Sequence, residues 1–158
     1  MASSNERKVM IANIEQLPVQ AEATVHGLTE IQFDTPYREE GWTPRQVIHH
    51  IADTHLMMFI RTKRTLTEDN PTLKPFNQDV WIALPDSTGP IEPSLDIIRG
   101  VHKRWAELLK SIPDSGWERP AYHPERGNIT LESMTAAYSD HGANHVAQIT
   151  ALRNRNGW

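Results

Sequence analysis

The chain has 158 residues, no cysteine, eight histidines and a formal net charge of −4. That length suits one domain with a sizeable core, and a weakly acidic charge spread along the chain carries no electrostatic footprint for nucleic acid. The missing cysteines exclude disulfides, thiolate metal sites and a cysteine nucleophile; no apolar run approaches the roughly 20 residues of a membrane span; and the first eight residues lack the apolar stretch of a secretory signal, so the expectation is a cytoplasmic protein with no nucleic-acid or membrane partner.

Ile11, Ile14, Ala21, Val25 and Leu28 fall at helical spacing and predict a first helix over about 7–28. Pro18 interrupts it, which predicts a kink or a short helix followed by a longer one, and Gly27 is placed to end it. Residues 33–41 read as a connecting loop. Thr43 as cap and Pro44 at the first helical position open a second helix over about 44–66. Val47, Ile51, Thr54 and Met58 mark its inner side, with Ile60 and Arg61 towards its end.

Residues 67–93 are irregular and punctuated by Pro71, Pro75, Pro85, Pro90 and Pro93, with a short helix over 77–84. A connection of this length in a compact domain is functional or wraps a neighbour, and it permits a bundle that is not simply up-down-up-down. Ile98, Val101, Trp105, Leu108 and Ile112 predict a third long helix from 93 or 94 to 112, ended by Pro113. Residues 121–123 and 128–130 can pair as a small hairpin. Thr130 with Ser133 starts a last helix to about 153. Four long helices with little strand signal predict an all-α four-helix bundle with a long proline-rich connection between helices 2 and 3, one domain over 1–158.

The last helix carries the main clue. Its apolar stripe reads Leu131, Met134, Tyr138, His141, His145, Gln148 or Ile149, Leu152, and steps of three and four keep these on one face. His141 and His145 are one turn apart, roughly 6 Å along the axis, so both can reach one ion. Two imidazoles on a core face are costly unless each nitrogen finds a partner, which a divalent metal supplies. The Gly142-Ala143-Asn144 interval lacks the glutamate of the zinc-protease helix motif. His50, in phase with Val47 and Thr54, adds a third nitrogen from a facing helix, and bundle cores build metal sites in this way. Three imidazoles leave a position open for water or substrate, the mark of a catalytic site. Zinc or nickel suits the donor set.

His49 competes with His50 for the ligand role, but helix phase favours His50 and leaves His49 solvated or orienting a ligand. Asp53 is a candidate orienter of a ligand histidine, and Asp140 a candidate for the cleft. Asp53, His49 and Asp140 are thus the candidate catalytic groups. His55, five residues from His50, is expected to point away as a structural residue. His26, His102 and His123 have no partner at useful spacing, and Trp42, Trp81, Trp105 and Trp117 read as packing residues. Two other readings remain open. A non-catalytic bundle would close the ion with a fourth ligand such as Asp53 or Glu132, and a metal-free bundle would bond both histidines to carbonyls.

Several separated segments occur in a familiar order: residues 37–55, containing Gly41-Trp42-Thr43-Pro44 and His49-His50-Ile51-Ala52-Asp53; residues 66–75; Leu84-Pro85-Asp86-Ser87; Ile91-Glu92-Pro93-Ser94-Leu95; and residues 138–149. The chain resembles the YfiT-like branch of the DinB superfamily over nearly its whole length. The resemblance implies a four-helix bundle whose metal ligands are His50, His141 and His145, a homodimer, and one of two activities. These are metal-dependent hydrolysis and transfer of a low-molecular-weight thiol, as in the bacillithiol-type transferases. Asp140 and Asn144 depart from the branch's pattern, which has an aromatic residue and a further histidine there; both are expected to line the cleft.

The chemistry expected of such a site is transfer of a small thiol to an electrophile. An ion of this kind, one zinc or nickel per chain, holds the thiol as thiolate, and no dedicated base is needed. The alternative is hydrolysis by metal-bound hydroxide, for which Asp53, His49 or Asp140 would serve as acid or base. The expected partners are therefore a small-molecule thiol and electrophile, or a hydrolysable substrate.

Overall fold

The computed structural model describes residues 2–158. Four long helices build it: α1 (Ser4–Val25), α3 (Pro44–Thr67), α5 (Glu92–Lys110) and α7 (Leu131–Asn156). Short helices α2 (Glu30–Phe33), α4 (Gln78–Ile82) and α6 (Asp114–Trp117), a 3-10 turn (Pro85–Thr88) and a hairpin of β1 (Pro120–His123) and β2 (Gly127–Thr130) fill the connections. The fold is an all-α four-helix bundle.

A side-chain cap starts each long helix except α5, which has Glu92 and Pro93 in its first turn. Ser3, Thr43 and Thr130 cap α1, α3 and α7, each accepting from the backbone N–H three residues on, while the side chain there returns a bond. Pro44 takes the first position of α3, where its missing N–H is no loss. Ser3 moves the start of α1 ahead of the expected residue 7. Pro18 does not split α1, which runs as one helix to Val25, and Gly27 follows its end at φ +76°. The capped turn α2 falls just ahead of the expected loop over 33–41, and α6 lies between the third long helix and the hairpin, where the sequence shows no helical period.

Around the bundle the order is α1, α5, α3, α7: α1 and α3 each pack on both α5 and α7. Helices consecutive in the chain, α1 with α3 and α5 with α7, therefore lie across diagonals. The long connection from Glu68 to Ile91 lets the third long helix insert beside both. The hairpin (Ala121 opposite Ile129) ties that connection down, because Leu73 N–H donates to the Tyr122 carbonyl and Tyr122 N–H to that of Pro71.

Two apolar clusters form the core. One gathers Ile11, Ile14, Met58, Trp105, Leu109 and Met134; the other Leu17, Val47, Ile51, Ile98 and Ile149. A cluster of histidines sits between them. Gly142 fixes the approach of α1 to α7 at this level, since a Cβ there would lie 2.3 Å from Leu17 Cδ2. Among the described residues no helix is long and apolar enough to cross a membrane.

Candidate metal centre

Phase on α7 puts His141 and His145 on its inner face, and His50 meets them from α3. Nε2 of His141 lies 3.2 Å from Nε2 of His50 and 3.2 Å from Nε2 of His145, and one ligand atom from each residue falls within 4.8 Å of the others. Metal–nitrogen bonds of about 2.0–2.1 Å at a tetrahedral angle separate neighbouring nitrogens by roughly 3.3 Å. The three imidazoles fit a divalent ion on that measure.

Protonation fits as well. Burial pushes His50 down to about 3, helped by the fields of His145 and His141, and pushes His141 down to about 4, helped by His145. Burial also lowers His145, against the bond it makes with Gln148. All three rings are neutral at pH 7, as ligands must be. His145 Nδ1 lies 2.8 Å from Gln148 Oε1, so this nitrogen carries the proton and Nε2 keeps its lone pair for the group. With Nε2 of His141 turned the same way, its Nδ1–H donates to His55 Nε2 at 3.0 Å. Three lone pairs converging in a buried place repel one another unless a cation joins them.

His55 corrects an expectation. It does not point away but backs His141, because α7 lies between the directions of His50 and His55 on α3. Behind it, His102 from α5 stacks on His55 at 4.9 Å between ring centroids. Its Nδ1–H donates to the Ile14 carbonyl at 2.5 Å, so it too belongs to the cluster. His55 Nδ1, His102 Nε2 and Trp105 Nε1 are buried without a hydrogen-bond partner among the described residues. Trp42 is a wall of the site as well as a packing residue, with its ring centroid 4.5 Å from that of His50 and 6.2 Å from that of His145.

The proposed acids and bases are elsewhere. His49 is buried, but its Nδ1 bonds Ser94 Oγ at 2.8 Å and its Nε2 the Gly89 carbonyl at 3.2 Å, on the far side of α3. Asp53 makes no hydrogen bond with the three histidines; burial and the charge of Asp86 raise its carboxyl, so it faces the 3-10 turn. Asp140 and Asn144 are exposed on α7, and neither lines the cavity beside His50 and His141. Glu132 is bonded to Arg7 and to the Ala2 amide and is no fourth ligand. These positions follow from neighbours on other helices, which spacing along one helix does not reveal.

A cavity of about 300 Å³ opens beside His50 and His141. Thr54, Met58 and Arg61 line it from α3, Met134 and Tyr138 from α7, Leu73 and Phe76 from the long connection, and His123 and Arg126 from the hairpin. His123 Nδ1 accepts the Glu125 backbone N–H at 3.3 Å, so its Nε2 carries the proton. Arg61, Tyr138 and His123 bring donors to the cavity wall.

Comparison with known proteins agrees with this picture. The model of the DinB superfamily matches residues 13–149. A protein of Bacillus mycoides is 43% identical over 148 residues, covering 94% of this chain and 86% of that one. One of Bacillus cereus is 44% identical over the same shares. The names of both propose a metal-dependent hydrolase. Among solved structures, YfiT from Bacillus subtilis, described as a probable metal-dependent hydrolase with an unusual four-helix bundle topology, superposes with a TM-score of 0.97. It is 38% identical, and the match covers 100% of this chain and 91% of that one.

Proposed function

Because the chain belongs to the DinB superfamily and gathers three neutral histidines around one point, we propose that it is a divalent-metal-dependent enzyme that transfers a low-molecular-weight thiol to an electrophilic small molecule. His50, His141 and His145 hold the ion, zinc or nickel, one per chain. A divalent ion in such a donor set acts as a Lewis acid and lowers the pKa of a coordinated thiol or water. Gln148 and His55 fix the tautomers of His145 and His141. Met58, Leu73 and Met134 add apolar wall to the cavity, and Tyr138 and His123 offer donors to a developing anion.

The observation that favours thiol transfer over hydrolysis is that none of the expected bases stands beside the three histidines, and the one carboxylate of the cavity wall, Glu125, sits out on the hairpin turn. His49 and Asp53 face the other side of α3, Asp140 is outside, and neutral His123 presents N–H to the cavity. A hydrolase wants a positioned acid or base; a thiol already held as thiolate does not. Hydrolysis remains the second reading, favoured by the names of the relatives. The deciding assay compares zinc- or nickel-loaded protein with His141→Ala. Expected are about one metal per chain, lost in the variant, and metal-dependent consumption of thiol with monobromobimane or 1-chloro-2,4-dinitrobenzene. Metal-dependent cleavage of p-nitrophenyl esters without thiol consumption would select hydrolysis, and no retained metal would remove both readings. The homodimer is part of this proposal, with exposed Val80, Trp81 and Leu84 as the first surface to vary in sedimentation experiments.

A further inference from the structure

Three arginines are less than a tenth exposed: Arg7 at 8%, Arg45 at 7% and Arg61 at 9%. Arg7 is paired with Glu132 and Asp114, and Arg45 with Glu30 and Asp34. Arg61 forms no ion pair among the described residues. Its Nη2 donates to the Lys74 carbonyl at 2.6 Å, and the side chain lines the cavity. A buried cation with no carboxylate is costly, and most such cations are paired. A chain that gives two carboxylates to each of its other buried arginines leaves this one for something that enters.

The placement relative to the metal site is specific. His50, Thr54, Met58 and Arg61 follow one face of α3 and all line the same cavity. Eleven residues separate His50 from Arg61, about 16 Å of helix rise, and the arginine leans back towards the N-terminus of its helix, shortening the gap. Tyr138 stands between them, its ring centroid 5.2 Å from that of His141; burial raises its hydroxyl, and the positive fields of Arg61 and Arg126, with a hydrogen bond from Arg61, oppose this. Counting Arg61, Arg126 and Glu125, the three charged groups of the cavity wall, the balance is one positive charge. A guanidinium has five N–H donors, so beyond its bonds to the Lys74 carbonyl and Tyr138 Arg61 keeps donors for the oxygens of a carboxylate.

We propose that Arg61 is the carboxylate-binding residue of the substrate site: the thiol substrate is a monoanion whose carboxylate lies several bonds from its sulfur, with sulfur at the three histidines and carboxylate at Arg61. This rests on the thiol-transfer reading for the sulfur end alone.

The test uses cobalt-loaded protein and the sulfur-to-cobalt charge-transfer band, titrated with 6-mercaptohexanoate and with 6-mercaptohexanol. The acid is expected to bind roughly tenfold more tightly than the alcohol, as a charge-assisted bond warrants. The gap closes in Arg61→Gln and is partly kept in Arg61→Lys. Equal binding of the two thiols to the unaltered protein overturns the proposal, whether or not Arg61→Gln folds. Calorimetry with adipate, which has no thiol, separates the two readings. If neither thiol raises the band, adipate binding that weakens in Arg61→Lys upholds the arginine site and sinks only the thiol end. No adipate binding then overturns both.

Discussion

His55 shows how much one unremarkable side chain decides. Its Nε2 accepts the hydrogen bond from His141 Nδ1–H and so leaves the opposite nitrogen of His141 free to bind an ion. Partners of this kind fix ring orientation and ligand basicity, and their loss typically costs 10- to 100-fold in metal affinity. His55→Phe is expected to weaken zinc binding by about that factor in a competition titration against a chromophoric chelator. His55→Gln, which still offers an acceptor, recovers part of it. Unchanged affinity in His55→Phe would show the His55 contact to be packing alone. The sequence hid this role for a physical reason. His50 and His55 are offset by about 140° on α3, which reads as opposite faces until a second helix stands between them. His102 and Trp42 were hidden likewise, since each meets the cluster only through tertiary packing. Arg61 was legible in principle, because eleven residues from His50 return to nearly the same face.

At the scale of elements, the approach of α1 to α7 depends on a missing side chain. Gly142 follows His141, and a Cβ there would meet Leu17 at 2.3 Å for Cδ2 and 2.8 Å for Cδ1. Leu17 is buried at 2% exposure and has little room to turn. Gly142→Ala should therefore overpack the interface and cost about 1–3 kcal/mol, despite the better helix propensity of alanine. For a chain of this size that is a fall of roughly 2–12 °C in Tm. In a double-mutant cycle Gly142→Ala should cost less when Leu17 is also alanine; strict additivity would place the strain elsewhere. The long helices themselves were legible because Thr43-Pro44 and the Thr130-Ser133 pair announce α3 and α7 in local chemistry. The short α2 and α6 were not, having too few residues to show a period. The diagonal order of the helices was open too, since amphipathic stripes say which face is buried and not against which neighbour.

For the whole molecule, the consequence is a polar centre between two apolar clusters, and its cost depends on pH. His50, His55, His102 and His141 are all depressed by burial, to about 3 for His50 and about 4 for His102 and His141, and well below the ordinary value for His55; His145 is lowered as well. Their reference value is 6.5. Between that value and the depressed folded values the unfolded chain binds more protons than the folded one, so stability rises with pH there and is lost as pH falls. Above 6.5 both states hold these rings neutral and the effect vanishes. Each histidine contributes on the order of 1 kcal/mol per pH unit inside the window. Metal-free protein is therefore expected to keep a constant Tm from pH 8 to about 7 and to lose about 10 °C or more by pH 5.5. His102→Gln, outside the three ligands, should flatten the slope without altering metal stoichiometry. A bound divalent ion competes with protons for His50, His141 and His145, so loaded protein should hold its Tm to lower pH, and the gap between the two melting curves should close as acid releases the ion. A metal-free Tm that does not change between pH 7 and 5.5 would mean that these rings take up protons inside the fold without penalty. Their burial would then not be what keeps them ready to bind metal.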